Sequence, residues 1–107
     1  MSMIDLREND QKRICELIER NFNEPLEVWA YGSRINGTNH DASDLDLVMR
    51  GANSRRLDWE QVMNFCEQLK DSNIPIIVEA RDWARLPTSF HQQILKKYEV
   101  LYTSLSG

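Results

Sequence analysis

The sequence of 107 residues lacks both a long apolar run and an excess of positive charge. No stretch approaches the roughly 20 apolar residues that a membrane-spanning helix needs. Residues 1–10 carry charges where a signal peptide would need an apolar stretch, so we expect a protein of the cytoplasm. A formal net charge of −4 argues against direct binding of nucleic acid over a broad surface, because such surfaces are normally basic.

Cysteine is also scarce, since the chain has only Cys15 and Cys66. Both fall at apolar positions of predicted helices, which favours buried, reduced thiols over a disulfide or a metal-binding pair. The length, a charged fraction of 28% and a hydrophobic fraction of 41% predict one globular domain over residues 1–107 with a modest core.

Apolar periodicity predicts a succession of helices and strands. We expect helices at residues 10–22, 58–70 and 87–98, strands at 26–31, 43–50 and 74–80, a loop at 37–43, and a short strand or packed tail at 100–102. Asp58, with Gln61 three residues on, resembles a capping box at the start of the second helix. The apolar stripe expected on that helix consists of Trp59, Val62, Met63, Cys66 and Leu69.

Gly32 and Ser33 directly follow the first predicted strand. Where a strand gives way to a turn or helix, unpaired backbone N–H groups favour a phosphate, and glycine lets the phosphate approach closely. The Ser33 hydroxyl can add a hydrogen bond, and the Arg34 guanidinium can add charge. Gly32, Ser33 and Arg34 are therefore the candidate nucleotide-binding residues, although a Gly-Ser pair alone is usually only a turn.

Asp44 and Asp46 lie on the next predicted strand. Because side chains alternate along a strand, their two carboxylates share one face. Neighbouring carboxylates repel unless a cation lies between them, and Mg²⁺ commonly takes carboxylates together with substrate phosphates. A lone Asp-x-Asp usually marks only an exposed strand face, but its combination with Gly-Ser points to metal-assisted transfer of a nucleotide.

Other aromatic and basic residues are expected to have structural roles. Trp29 is assigned to the core, Trp83 to a position packed beside a strand end, and His91 to a helix surface. The remainder are assigned to solvated loops or to a helix C-terminus, where cations complement the helix dipole: His40, Arg55, Arg56, Lys96 and Lys97.

Residues 31–48 (YGSRINGTNHDASDLDLV) resemble the minimal nucleotidyltransferases of the DNA polymerase β-like superfamily. The match includes the Gly-Ser and Asp-x-Asp signature together with Gly37 and Ser43. The short length, the helix at Asp58 and the late strand extend it over nearly the whole chain, and residues 81–84 and the C-terminal helix also resemble the family. The resemblance implies an α/β (α+β) fold similar to the polymerase β palm, in which a small mixed sheet is flanked by helices on one side.

The resemblance also implies the site and its cofactors. Asp44 and Asp46 would be the metal ligands, with one or two Mg²⁺ ions and ATP as substrate. A third carboxylate from a later strand would be general base or shared ligand, and Glu79 stands there, where the family usually has aspartate. Ile35 and Asn36 also depart from the family pattern, which bears on how the phosphates are held.

Minimal members of this family often pair with HEPN-domain RNase toxins. The resemblance therefore implies an antitoxin that transfers AMP from ATP to a tyrosine of its toxin. The short chain independently favours an acceptor on another molecule, its acidic charge suits a basic partner, and both homo- and hetero-oligomers stay open. Three alternatives also stay open: neutralisation by binding alone, which Glu79 favours; transfer to a small molecule; and extension of tRNA or another polynucleotide, against which acidity and short length count.

Overall fold

The structure is a computed structural model that describes residues 7–32 and 45–104. Its elements in chain order are α1 (Glu8–Asn21), β1 (Leu26–Tyr31), β2 (Leu45–Gly51), α2 (Trp59–Asp71), β3 (Val78–Asp82), α3 (Thr88–Lys96) and β4 (Tyr98–Thr103). Short 3₁₀ helices follow β2 at Ala52–Ser54 and β3 at Trp83–Arg85. The three helices and the first two strands lie close to their predicted positions.

The four strands form one mixed sheet in the order β3-β2-β1-β4. β1 is antiparallel to both of its neighbours, β2 and β4. β2 and β3 are parallel, and parallel strands need a crossover connection, which α2 supplies. The predicted mixed sheet flanked by helices is therefore confirmed.

Alternation along β1 and β2 divides the core between the two faces of the sheet. α1 and α2 cover the first face, which consists of Leu26, Val28, Ala30, Leu45, Leu47 and Met49. On the opposite face Trp29 and Val48 form a smaller cluster with Trp83 and with Ile94 of α3. Helices therefore lie on both faces and not on one side alone, because Trp29 and Val48 also need apolar cover.

The start of α2 agrees with its sequence signal. One oxygen of the Asp58 carboxylate accepts hydrogen bonds from the backbone N–H groups of Glu60 and Gln61, at 2.9 and 3.3 Å. These bonds satisfy two of the N–H groups that a helix start leaves unpaired. The Gln61 side chain donates instead to Asn23, at 3.2 Å.

The predicted apolar stripe of α2 is partly wrong. Val62 and Leu69 are buried, but the centre of the buried face is Phe65, which is inaccessible to solvent and which the prediction omitted. Trp59 and Met63 are exposed. The Arg85 guanidinium lies 4.9 Å from the Trp59 ring centroid, so this ring packs against a charged side chain at the surface.

Three further expectations need correction. β3 begins at Val78 and not at residue 74, although the Ile77 carbonyl already accepts a hydrogen bond from Leu45 N–H at 2.9 Å. α3 ends at Lys96 and β4 begins at Tyr98, so the last strand is longer than predicted. His91 does not simply occupy a helix surface, because its ring stacks on Trp83 at a centroid distance of 3.8 Å.

Cys15 and Cys66 are both free thiols, as expected, but they are half-buried and not fully enclosed. Each Sγ lies near a backbone carbonyl oxygen, of Leu101 and Ala80 respectively. Burial raises the pKa of both thiols above the usual value, which lowers the thiolate fraction at neutral pH. Among the described residues, none of the helices has the length and apolar character that crossing a membrane requires.

Candidate active site

The candidate site lies on the α3 side of the sheet, where β1 ends and β2 begins. Asp46 pairs with Tyr31 of β1 on one side and with Glu79 of β3 on the other. Side chains of paired residues point to the same face of a sheet, and neighbouring strands are about 4.8 Å apart. The register therefore sets the carboxylates of Asp46 and Glu79 side by side.

One guanidinium joins these groups. Arg81 lies two residues after Glu79 on β3 and therefore on the same face. Its Nη2 atom donates to Glu79 Oε2 at 3.1 Å, and its Nη1 atom donates to the Tyr31 hydroxyl oxygen at 3.1 Å. Nη1 also lies 3.5 Å from Asp46 Oδ1. Arg81 thus connects side chains from three strands.

Phe90 of α3 borders the same cluster. Its ring meets the Tyr31 ring edge-on, with centroids 6.2 Å apart. The Arg81 guanidinium carbon lies 5.9 Å from the Phe90 centroid, within the range of a cation–π contact. α3 thereby closes one side of the site and holds Arg81 against the sheet.

Gly32 ends β1 with a backbone φ of 91°, in a region that residues with a Cβ rarely adopt. A Cβ built on Gly32 would lie 2.7 Å from Asp46 Oδ2. The Gly32 backbone is therefore packed directly against the Asp46 carboxylate. Both the conformation and the space require glycine.

Burial and charge also alter the titration of the cluster. Burial raises the pKa of Tyr31 above its ordinary value, and the nearby Arg81 offsets part of that change. Burial lowers the pKa of Arg81, but Tyr31 and Glu79 outweigh it, so that this pKa is also raised. The phenol is consequently neutral and the guanidinium charged at physiological pH.

The structure therefore brings together three of the residues identified from sequence: Gly32, Asp46 and Glu79. Ser33, Arg34 and Asp44 lie outside the described residues. Within the described ranges, no group of three or more potential metal ligands occurs. Asp46 and Glu79 nevertheless supply adjacent carboxylate oxygens, with 27% and 47% of their side chains exposed, and accessible carboxylates of this kind suit Mg²⁺.

Sequence reasoning assigned no site role to Tyr31, Arg81 or Phe90. The sequence could have placed Arg81 beside Glu79, because residues 79 and 81 share a face of any strand that contains both. Tyr31 likewise directly precedes the Gly-Ser pair. The contact of Phe90 with the cluster depends on how α3 docks on the sheet, and no local pattern in the sequence encodes that.

Known proteins resemble this chain in sequence over most of its length. Residues 12–105 match the family model described as polymerase beta, nucleotidyltransferase. The chain is 35% identical over 74 residues to the "Probable protein adenylyltransferase MntA" of Haemophilus influenzae. That match covers 69% of this chain and spans only 63% of the length of the relative.

Solved structures share the fold. A chain in the crystal structure of a toxin-antitoxin with AMP-PNP aligns with a TM-score of 0.72 at 22% identity, covering 89% of this chain and 74% of that one. A chain in the complex of a tri-AMPylated Shewanella oneidensis HEPN toxin with MNT antitoxin aligns with a TM-score of 0.59 at 22% identity, covering 90% and 71%. The extent of the family match, together with the paired carboxylates beside the Gly-Ser turn, shows that the chain belongs to the polymerase β nucleotidyltransferase family.

Proposed function

We propose that this chain is a Mg²⁺-dependent nucleotidyltransferase of the cytoplasm, which acts as an antitoxin by transferring AMP from ATP to a tyrosine hydroxyl of a HEPN-type RNase toxin. One observation carries the proposal: the register of β2 and β3 pairs Asp46 with Glu79, directly beside the turn at Gly32. Acidic ligands and a phosphate-binding turn then lie at one end of the sheet, as nucleotide transfer requires.

Each residue would have a separate task. The backbone from Gly32 onward, with the Ser33 hydroxyl and the Arg34 guanidinium, would hold the phosphates of ATP. Asp44 and Asp46 would hold one or two Mg²⁺ ions, with Glu79 as a further ligand or as the base. When bound, Mg²⁺ would neutralise negative charge that develops during the transfer.

The transfer itself is a displacement at phosphorus. The acceptor hydroxyl oxygen forms a bond to the α-phosphorus of ATP, the bond from that phosphorus to the bridging oxygen breaks, and pyrophosphate leaves. The hydroxyl proton passes to the Glu79 carboxylate. The Gly32 backbone would fix the orientation of the phosphates and Asp46 would hold the metal ion, so that attack and departure occur in line.

The choice of acceptor is supported by the relatives. The Haemophilus influenzae relative is named a probable protein adenylyltransferase, and one structural neighbour contains a tri-AMPylated HEPN toxin bound to an MNT antitoxin. A net charge of −4 favours a partner with a basic surface.

Transfer of a label tests this proposal. The purified protein is incubated with ATP labelled on the α-phosphate, Mg²⁺ and the co-purifying partner protein, and label on the partner is measured. We expect wild-type protein to label the partner and Asp46→Asn to reduce labelling at least about 100-fold. Asp71→Asn is a matched control, because it removes an exposed aspartate at the end of α2 and should leave labelling unchanged. Full labelling by Asp46→Asn would contradict the proposal.

A second candidate function is neutralisation of the partner by binding alone. It is favoured by Glu79, which here is paired with Arg81 at 3.1 Å and lies where the family usually has aspartate. The double variant Asp44→Asn/Asp46→Asn discriminates between the two functions. Protection of cells from the partner by this variant, without any labelling, would favour binding alone, whereas loss of protection would favour transfer.

A further inference from the structure

We propose that Arg81 is a built-in counter-cation of the candidate site, which competes with a divalent cation for the oxygens of Asp46 and Glu79. Arg81 then acts as a positioning residue that lowers the affinity of the free site for metal. This inference rests on the proposed function, because it concerns the same carboxylates. It adds a residue that the nucleotide-transfer scheme does not need.

Arg81 places its positive charge against both carboxylates. The Arg81 guanidinium is within hydrogen-bond distance of Glu79 Oε2 and lies 3.5 Å from Asp46 Oδ1. A divalent cation shared by these carboxylates would need oxygens from the same two side chains. Two positive groups cannot both approach them closely without repelling each other. The guanidinium would therefore weaken metal binding unless it withdraws.

Other side chains hold Arg81 in place. Its Nη1 atom donates to the Tyr31 hydroxyl oxygen at 3.1 Å, and its guanidinium lies over the Phe90 ring. Only 36% of its side chain is exposed. These contacts lie on β1 and α3, outside the carboxylate pair. They retain the guanidinium near Asp46 and so make its withdrawal cost free energy.

Arg81 also stabilises the two carboxylates in the protein without metal. Neighbouring carboxylates repel one another, and the register makes Asp46 and Glu79 immediate neighbours across β2 and β3. The positive charge of Arg81 offsets this repulsion before any metal binds. Removal of that charge would leave a more negative pair, and such a pair attracts a divalent cation more strongly.

Binding of Mn²⁺ alone, without nucleotide, tests the inference. Free Mn²⁺ is measured by electron paramagnetic resonance while the full chain is titrated. We expect Arg81→Gln to bind Mn²⁺ about tenfold more tightly than wild type, and Arg81→Lys to remain close to wild type because it keeps the charge. Asp46→Asn should bind much more weakly than wild type, since it removes a ligand.

Arg50→Gln is the matched control. Arg50 lies on the same face of β2 as Asp46, about 13 Å further along the strand. It is 32% exposed, pairs with Glu27 at 3.7 Å and packs against aromatic rings. The substitution changes the net charge by the same amount, so it corrects for any general electrostatic effect. We expect it to leave Mn²⁺ affinity near the wild-type value.

Each outcome is decisive. Tighter binding by Arg81→Gln than by Arg50→Gln supports the inference, even when wild type binds too weakly to measure. Equal or weaker binding by Arg81→Gln, or no binding by any variant, overturns it. Circular dichroism verifies folding, and Arg81→Met, which keeps the apolar stem against Phe90, replaces a variant that does not fold. Failure of labelling in wild type with Asp46-dependent Mn²⁺ binding intact would contradict the proposed function and leave this inference standing.

Discussion

The two faces of the sheet use the same strands for different purposes. The face under α1 and α2 is apolar along β1 and β2, and its residues on β2 are inaccessible to solvent: Leu45, Leu47 and Met49. On the other face, apolar packing occupies the middle, around Trp29 and Val48. A charged cluster occupies one end of that face, at Asp46, Glu79 and Arg81.

Asp46 and Leu47 show what this difference means. They are adjacent in sequence, yet alternation sends one side chain to the charged cluster and the other to a solvent-free core. Because burial of Leu47 fixes the strand, it also fixes the position of Asp46. The apolar face therefore provides the stability, and the partly exposed face can carry charges at little cost to folding.

Of the variants that compare the two faces, Phe65→Ala should lower the free energy of unfolding most. Phe65 is inaccessible to solvent and packs edge-on against Phe22, with centroids 5.6 Å apart. Truncation of such a ring leaves a cavity, so we expect the free energy of unfolding to fall by about 3–5 kcal/mol. Urea denaturation followed by circular dichroism measures the change.

Asp46→Asn is the comparison for Phe65→Ala on the other face. It removes a charge from a partly exposed side chain without a change in volume, so we expect the free energy of unfolding to change by less than about 1 kcal/mol. A large loss of stability in Asp46→Asn, equal to that in Phe65→Ala, would show that the charged face is also essential to folding and would break the comparison.

A smaller loss of stability than that of Phe65→Ala is expected for Gly32→Ala, where the charged cluster contacts the backbone. Gly32→Ala places a Cβ 2.7 Å from Asp46 Oδ2 and demands an unfavourable φ of 91°. We expect the free energy of unfolding to fall by about 1–2 kcal/mol from the backbone conformation, and further from the contact. Denaturation of the single variant measures the sum of the two effects.

A double-mutant cycle with Asp46→Ala separates these two causes. Asp46→Ala removes the carboxylate that the new Cβ would meet, so Gly32→Ala should destabilise the Asp46→Ala background less than it destabilises wild type. Equal losses in both backgrounds would mean that only the backbone conformation of Gly32 matters. The contact between the turn and the carboxylate would then have no energetic weight.

The sequence was most informative where a strand had clear limits. β1 was predicted at its observed bounds, Leu26–Tyr31, because Pro25 and Gly32 interrupt structure on either side of a run of β-branched and aromatic residues. Alternation likewise predicted that Asp46 faces away from Leu45 and Leu47. These properties are local, and local residue types determine them.

Contacts between elements were not predictable in the same way. The pairing of Asp46 with Glu79 depends on the register of β2 and β3, which the crossover through α2 determines. The exposure of Trp59 under Arg85 and the stacking of His91 on Trp83 depend on helix docking. Hydrophobic periodicity cannot distinguish such a ring from a core ring, because both satisfy the same helical spacing.

The smallest change in stability is expected at Tyr31, which lies between the apolar middle and the charged end of the same face. Burial raises the pKa of Tyr31 above its ordinary value of about 10. At a pH between the unfolded and folded values, the folded state binds more protons than the unfolded state. The contribution of Tyr31 to stability is therefore complete below the unfolded value and is lost as pH rises through the folded value.

Tyr31→Phe should remove this dependence. We expect the loss of stability between neutral and strongly alkaline pH to be slightly smaller in Tyr31→Phe than in wild type, and the most alkaline step of phenolate absorbance to disappear. Tyr102→Phe is the control, since it removes a phenol from β4 outside the cluster, and it should retain that step. If Tyr31→Phe retained the step, Tyr31 would titrate as an exposed phenol. The end of the sheet that carries Asp46 would then be hydrated. Water there would weaken the ion pairs of Arg81 with Asp46 and Glu79.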